Sequence, residues 1–123
     1  VVACGVNPDP DKAAAAIRGA KGQAMGIQWD LADLGIIDTH IGEIEKTLGP
    51  VDILVNNAGG PAPTPAQGQD LALWRTQFEA MVLSVIAVTD RVLPGMKKKC
   101  WGRVVTSTSS AKPASVNRAC WSC

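Results

Sequence analysis

Val51-Asp52-Ile53-Leu54-Val55 is a short, β-branched, mostly apolar run that follows Gly49-Pro50 and leads straight into Asn56-Asn57-Ala58-Gly59-Gly60. A run of this length and composition between turn residues predicts a strand covered on both faces, as in a parallel sheet. The segments on either side have helical periodicity. Upstream, Ile37, Ile41, Ile44 and Leu48 recur at spacings of four and three, one face of an amphipathic helix within 34–48. Downstream, Trp74, Phe78, Met81, Val82, Val85, Thr89, Val92 and Met96 keep the same spacing in a longer helix, and Leu83, Ile86 and Val88 widen the stripe, predicting burial on more than one side. Pro94-Gly95 marks a frayed end, and Lys97-Lys98-Lys99 reads as a solvated terminus suited to the negative end of the helix dipole.

The rest of the chain continues the alternation. Val1 to Val6 reads as a strand, Asn7-Pro8-Asp9-Pro10 as a turn in which Asp9 caps and Pro10 opens a helix, and 11–20 as that helix, ended by Lys21-Gly22. Ala24 to Trp29 is a second strand, followed by a loop, Asp30-Leu31-Ala32-Asp33, whose last residue can cap the next helix. Pro61 to Gln69 is too rich in breakers for regular structure, and Gly102 to Thr106 is the last strand. Strands alternating with helices imply right-handed crossovers and an α/β fold, with a parallel sheet carrying helices on both faces. Ligands in such sheets sit at the carboxyl ends of strands, so the loops after Val6, Trp29, Val55 and Thr106 are where chemistry is expected.

Charge and composition narrow the function. A net charge of +1 with 19% charged residues gives no broad electropositive surface, which argues against nucleic acid or an anionic membrane as partner. No apolar run approaches the roughly 20 residues of a membrane span, and Val1-Val2-Ala3-Cys4 is too short for a signal-peptide core, so a cytoplasmic location is expected. Cys4, Cys100, Cys120 and Cys123 show no regular spacing and read as reduced thiols. Cys120 and Cys123 have the spacing of a metal or redox pair, but no second Cys/His pair accompanies them, so no metal site is expected. Asp38, His40, Glu43 and Glu45 read as the wet face of the first amphipathic helix. The chain contains no tyrosine, which excludes any mechanism that uses a phenol.

The amide-rich corner from Asn56 to Gly59 has two readings. It offers hydrogen-bonding groups and bare backbone to a flat ligand, or it is an ordinary strand-to-loop turn. Here the sequence resembles the short-chain dehydrogenase/reductase family, whose members carry Asn-Asn-Ala-Gly at the end of their fourth strand. The resemblance extends from Asp30-Leu31 through Gly49-Pro50-Val51-Asp52-Ile53-Leu54-Val55 and a long helix ending Leu93-Pro94-Gly95-Met96 to Trp101-Gly102-Arg103-Val104-Val105 and Ser109-Ser110. It looks most like the 3-oxoacyl-acyl-carrier-protein reductase branch. It implies a partial Rossmann-like, doubly wound domain over 1–110, with 111–123 an irregular tail.

The resemblance also implies roles. Asp30 would hydrogen-bond adenine and Leu31 would pack near it. Asn57, Ala58 and Gly59 would border the ribose and nicotinamide side of NADP or NAD, and Asn56 would tie neighbouring strands together. Ser109 matches the catalytic serine, whose hydroxyl donates to the substrate oxygen; the plain alternative is a strand-end serine bonded to local backbone. The family's glycine-rich phosphate loop lies before the segment that Val1 opens, its catalytic tyrosine would fall near Ser122, and its long-helix asparagine is Met81 here. Gly5-Val6-Asn7 offers no residue that discriminates NADP from NAD. The implied reaction is hydride transfer between a nicotinamide and a small carbonyl or secondary alcohol, in a homo-oligomer when the family member is intact, with this chain itself expected to be inactive. In the family order the first strand lies between the second and fourth, so its loss is expected to split the sheet at the centre and leave open edges. The alternative is a non-catalytic interaction module that pairs through its long helix and those edges.

Overall fold

The computed structural model describes residues 2–5, 10–60, 64–65 and 67–107. Asp9, Ser109 and the tail 111–123 lie outside the described residues, and so do the readings that fall on them. β1 (Val2–Gly5) lies parallel to β2 (Met25–Gln28), with Val2 opposite Met25, and α1 (Pro10–Gly19) joins them. α1 fits tightly because its contact residue, Ala14, is small and fully buried, and because Gly26 has no side chain: a Cβ there would meet the Asp11 amide nitrogen at 2.7 Å. Gly26 thus faces α1, while its neighbour Ile27 points to the opposite face.

That opposite face carries a second helical layer. Asp33 accepts the Gly35 amide at 3.1 Å and caps a 3₁₀ turn (Leu34–Ile36), which leads into α2 (Ile37–Leu48). Gly49, at φ 89°, ends α2. β3 (Ile53–Asn56) follows, then one long helical rod consisting of α3 (Leu71–Phe78), a π turn (Glu79–Leu83) and α4 (Ser84–Lys98). β4 (Arg103–Thr106) lies parallel to β3, with Ile53 opposite Arg103. Ile27 and Trp29 at the end of β2, Ile37, Ile41 and Ile44 of α2, and Val88, Val92 and Met96 of α4 form one buried cluster. Arg91 bridges the two helices at 2.7 Å to Asp38 and 3.2 Å to Glu45, so these carboxylates serve a helix contact as well as a wet face.

The parallel pairing matches the α/β expectation, and among the described residues the sheet is in two halves, β1-β2 and β3-β4. Two expectations of burial need correction. β3 is covered on one face only: Leu54 packs against the cluster and Asn56 is buried, but Ile53 and Val55 are 58% and 60% exposed, because no described helix lies on their side. The long helix is buried on one side only, along Ser84, Val88, Val92 and Met96. Trp74 and Phe78 would share that stripe in a continuous α-helix, yet both are exposed. The π turn explains this. The Ser84 amide bonds back to Glu79 rather than to Ala80, so one extra residue enters the turn and shifts everything before it by about 100° around the axis. Nor does Pro94-Gly95 fray the helix, which continues to Lys98 with Pro94 on its exposed side.

α1 and α4 close in the same way. Lys21 (φ 62°) follows α1, where the Gly22 amide bonds to Ile17 O at 3.0 Å; Cys100 (φ 53°) follows α4, where the Trp101 amide bonds to Met96 O at 3.1 Å. Both left-handed positions are occupied by residues with a Cβ, which favours glycine there. Cys100→Gly is expected to raise unfolding free energy by about 1 kcal/mol in a urea titration. Gly26→Ala is expected to lower it by about 1–3 kcal/mol, since α1 must lift from β2.

Candidate functional site

A cavity of about 630 Å³ runs along the whole of β3, from Leu48, Gly49 and Pro50 at one end to Asn57 and Ala58 at the other. Its floor is the helical layer, including Ile41, Ile44, Val88 and Val92; its far wall is Val2 of β1 with Trp29 and Leu31 after β2. It is lined almost wholly by apolar and neutral groups, Asp52 being the one charged lining residue.

At the carboxyl end of the strands, the structure brings together three of the residues singled out by sequence. Leu31, half-buried, reaches the cavity from the β1-β2 half, and Asn57 and Ala58 reach it from the β3-β4 half. Asp30 lies beside Leu31 but is exposed and is not part of the lining; its carboxylate accepts the Ala32 amide at 2.9 Å, which holds the loop in a tight turn. Gly59 is exposed just beyond Ala58, with open space around the position of a Cβ, and also lies outside the lining. Ser109, the expected catalytic serine, falls outside the described residues, whose last member is Ser107 after β4.

Asn56 anchors the corner. Its backbone carbonyl accepts the Ser107 amide at 2.8 Å, a ladder bond between β3 and β4, while its side-chain amide donates to Thr89 Oγ1 at 3.4 Å and so ties β3 to α4. Asn56 is 8% exposed, and this bond supplies the acceptor its buried amide requires. Met81, at the position where the family has an asparagine, sits in the π turn and is 37% exposed. Ser84, which closes that turn, is buried and donates to Ala80 O at 2.6 Å.

Sequence reasoning missed one feature of the site. The rings of Trp29 and His40 meet at a tilt of 54° with centroids 5.0 Å apart, and among the described residues neither the indole Nε1 nor His40 Nδ1 has a hydrogen-bond partner. His40 is therefore half-buried rather than part of a wet face. The signal was present in the spacing, since position 40 falls between Ile37 and Ile44 at intervals of three and four. Among the described residues, no group of three His, Cys, Asp or Glu side chains could hold a metal ion.

The model of the short chain dehydrogenase family matches residues 1–122. The chain belongs to the short-chain dehydrogenase/reductase family. This family member is 32% identical over 114 residues to nodulation protein G of Azospirillum brasilense, covering 89% of the chain and 46% of that relative. It is 34% identical over 98 residues to a fatty acyl-CoA reductase of Mycobacterium tuberculosis, covering 77% of the chain and 33% of the relative. Among solved structures, it resembles 7α-hydroxysteroid dehydrogenase complexed with NADH and 7-oxo glycochenodeoxycholic acid, at a TM-score of 0.80 and 33% identity over 89% of the chain and 43% of that protein. The chain thus spans less than half the length of the relatives it matches.

The helix from Leu71 to Lys98 is long and apolar enough to cross a membrane by length and composition. In this fold Val88, Val92 and Met96 instead place one of its sides in the core.

If the Asn56 contact holds the corner to α4, Thr89→Val leaves a buried amide without that acceptor. The expected cost is about 1–2 kcal/mol in chemical denaturation, with the Asn56 side-chain NH₂ resonances shifting on mutation.

Proposed function

We propose that this chain forms part of the dinucleotide site of an NAD(P)-dependent oxidoreductase that moves a hydride between a nicotinamide and a carbonyl or secondary alcohol. The supporting observation is that Leu31 and the pair Asn57-Ala58, carried by separate half-sheets, line one cavity at its carboxyl end. Strand carboxyl ends that converge on a shared crevice are where doubly wound folds take their ligands. In this reading Leu31 packs against the adenine and the Asp30 carboxylate, exposed beside it, accepts from the adenine amine. The Asn57 amide, with no hydrogen-bond partner among the described residues, bonds the ribose, and Ala58 with Gly59 lets the ligand approach bare backbone. The nicotinamide supplies the hydride acceptor or donor. Ser109 donates its hydroxyl to the substrate oxygen as charge develops there.

The substrate class we assign is the 3-oxoacyl thioester of an acyl carrier protein. The residues it shares with that branch of the family and the fatty acyl-CoA reductase relative support this choice. The likeness to 7α-hydroxysteroid dehydrogenase supports a secondary alcohol more generally, so a test includes both substrates. The exposed Trp74, Phe78, Val82 and Ile86 of the long helix are where this reading puts contacts between copies. The 123-residue chain has no tyrosine to act as proton donor, and a serine hydroxyl is too weak an acid to replace it.

Dinucleotide binding without hydride transfer is therefore expected. Titration with NADH and, separately, NADPH should give saturable changes in tryptophan fluorescence with a Kd of about 1 mM, near −4 kcal/mol. Asp30→Ala should weaken it by about tenfold. Turnover of either substrate at the rate of a full-length reductase, or no saturable binding of either dinucleotide, would overturn this reading.

A further inference from the structure

We propose that His40 is a positioning residue for the adenine site: packed on Trp29 from the first turn of α2, it sets where the Asp30-Leu31 loop stands at the cavity mouth. This role rests on the dinucleotide reading and deepens it.

The segment from Asp30 to Gly35 is stiff within itself. The Asp30 carbonyl accepts the Asp33 amide at 3.0 Å and its carboxylate accepts the Ala32 amide at 2.9 Å. The Ala32 carbonyl accepts the Leu34 amide at 3.2 Å, and the Asp33 carboxylate accepts the Gly35 amide at 3.1 Å. All of these bonds are internal, so they fix the shape of the segment and leave its placement to what holds its ends. They also orient the acid: one Asp30 oxygen is engaged by Ala32, which leaves the other for a ligand amine.

Trp29 holds one end and α2 the other. Trp29, 4% exposed, belongs to the apolar cluster and leads directly into Asp30. Ile37 opens α2 in the same cluster, and His40, in that first turn, sets its ring against the indole with centroids 5.0 Å apart. The tilted ring contact joins strand end to helix start and closes the segment at its base. Trp29 and Leu31 line the cavity and His40 does not, so His40 reaches a ligand only through them.

Hydrogen bonding is not what retains the pair. The indole Nε1 and His40 Nδ1 are buried without partners among the described residues, and each such atom lowers stability. What the imidazole contributes is a flat face in the right place, and a phenyl ring would supply that equally well.

The test uses the 123-residue protein, adenosine monophosphate as probe, and amide exchange at Ala32 and Asp33, whose bonds to Asp30 report the loop without any ligand. His40→Ala removes the ring and His40→Phe restores it. Met96→Val loosens the same cluster beside Gly102, away from the cavity lining, and serves as the stability control. His40→Ala is expected to weaken probe binding by about tenfold and to speed exchange at both amides by about tenfold. His40→Phe should leave both within about twofold of the unmutated chain, and Met96→Val should lower the urea midpoint while changing neither. If His40→Ala does not fold, His40→Gln, which keeps bulk without a ring, takes its place. Unchanged exchange in the ringless variant overturns the proposal. So does equal loss of binding in His40→Phe, which would assign the effect to the imidazole nitrogens, or in Met96→Val, which would mean a general effect of stability. Absence of probe binding by the unmutated chain defeats the dinucleotide reading and the adenine role with it, while the ligand-free exchange rates still decide whether His40 holds the loop.

Discussion

The contact between α2 and α4 holds this molecule together. Val92, 1% exposed, sits in the cluster that joins those helices to the end of β2; Val2, Ile27 and Leu54 place β1, β2 and β3 in or against that layer, while β4 is held by its pairing with β3. The Arg91 bridge to Asp38 and Glu45 adds direction more than energy, since Asp38 is 85% exposed and pairs of that kind contribute little in water. Apolar burial does the holding. Because the layer spans both half-sheets, they keep a common floor although no described hydrogen bond runs between β1 and β3.

The candidate site inherits its shape from that arrangement. Leu31 and Asn57-Ala58 meet across the groove because both half-sheets are parallel and lie on one layer, so their carboxyl ends open on the same side. Asn56 fixes the height of the corner by bonding α4 through its side chain and β4 through its backbone. Membership in the short-chain dehydrogenase/reductase family fits this geometry. The chain carries less than half of its relatives' length.

Much of this was legible in the chain, for physical reasons that can be named. The spacing of Ile37, Ile41 and Ile44 located α2 and its buried face, Asp33 capped the turn before it, and the β-branched run ending at Asn56 placed β3 and hence the corner. The exposure of one face of β3 was not legible: apolar side chains at Ile53 and Val55 record a surface suited to burial, whereas burial itself depends on what lies opposite. The π turn was hidden as well, because Trp74 and Val92 fall in phase when counted at 3.6 residues per turn. His40 shows a third limit, since a polar side chain at an inward spacing was assigned to water when an indole was there to receive it. The role of Ser109 rests on the family resemblance, as it lies outside the described residues.

The wide turn at Glu79–Leu83 divides the longest element into two rods joined out of phase. One side of the C-terminal rod is committed to the interior, whereas Trp74 and Phe78 on the other rod are exposed among the described residues. Selection can therefore retune the first rod without disturbing the second. A one-residue deletion in the join would screw those aromatics round into line with Val88 and Val92, and the two surfaces would lose their independence.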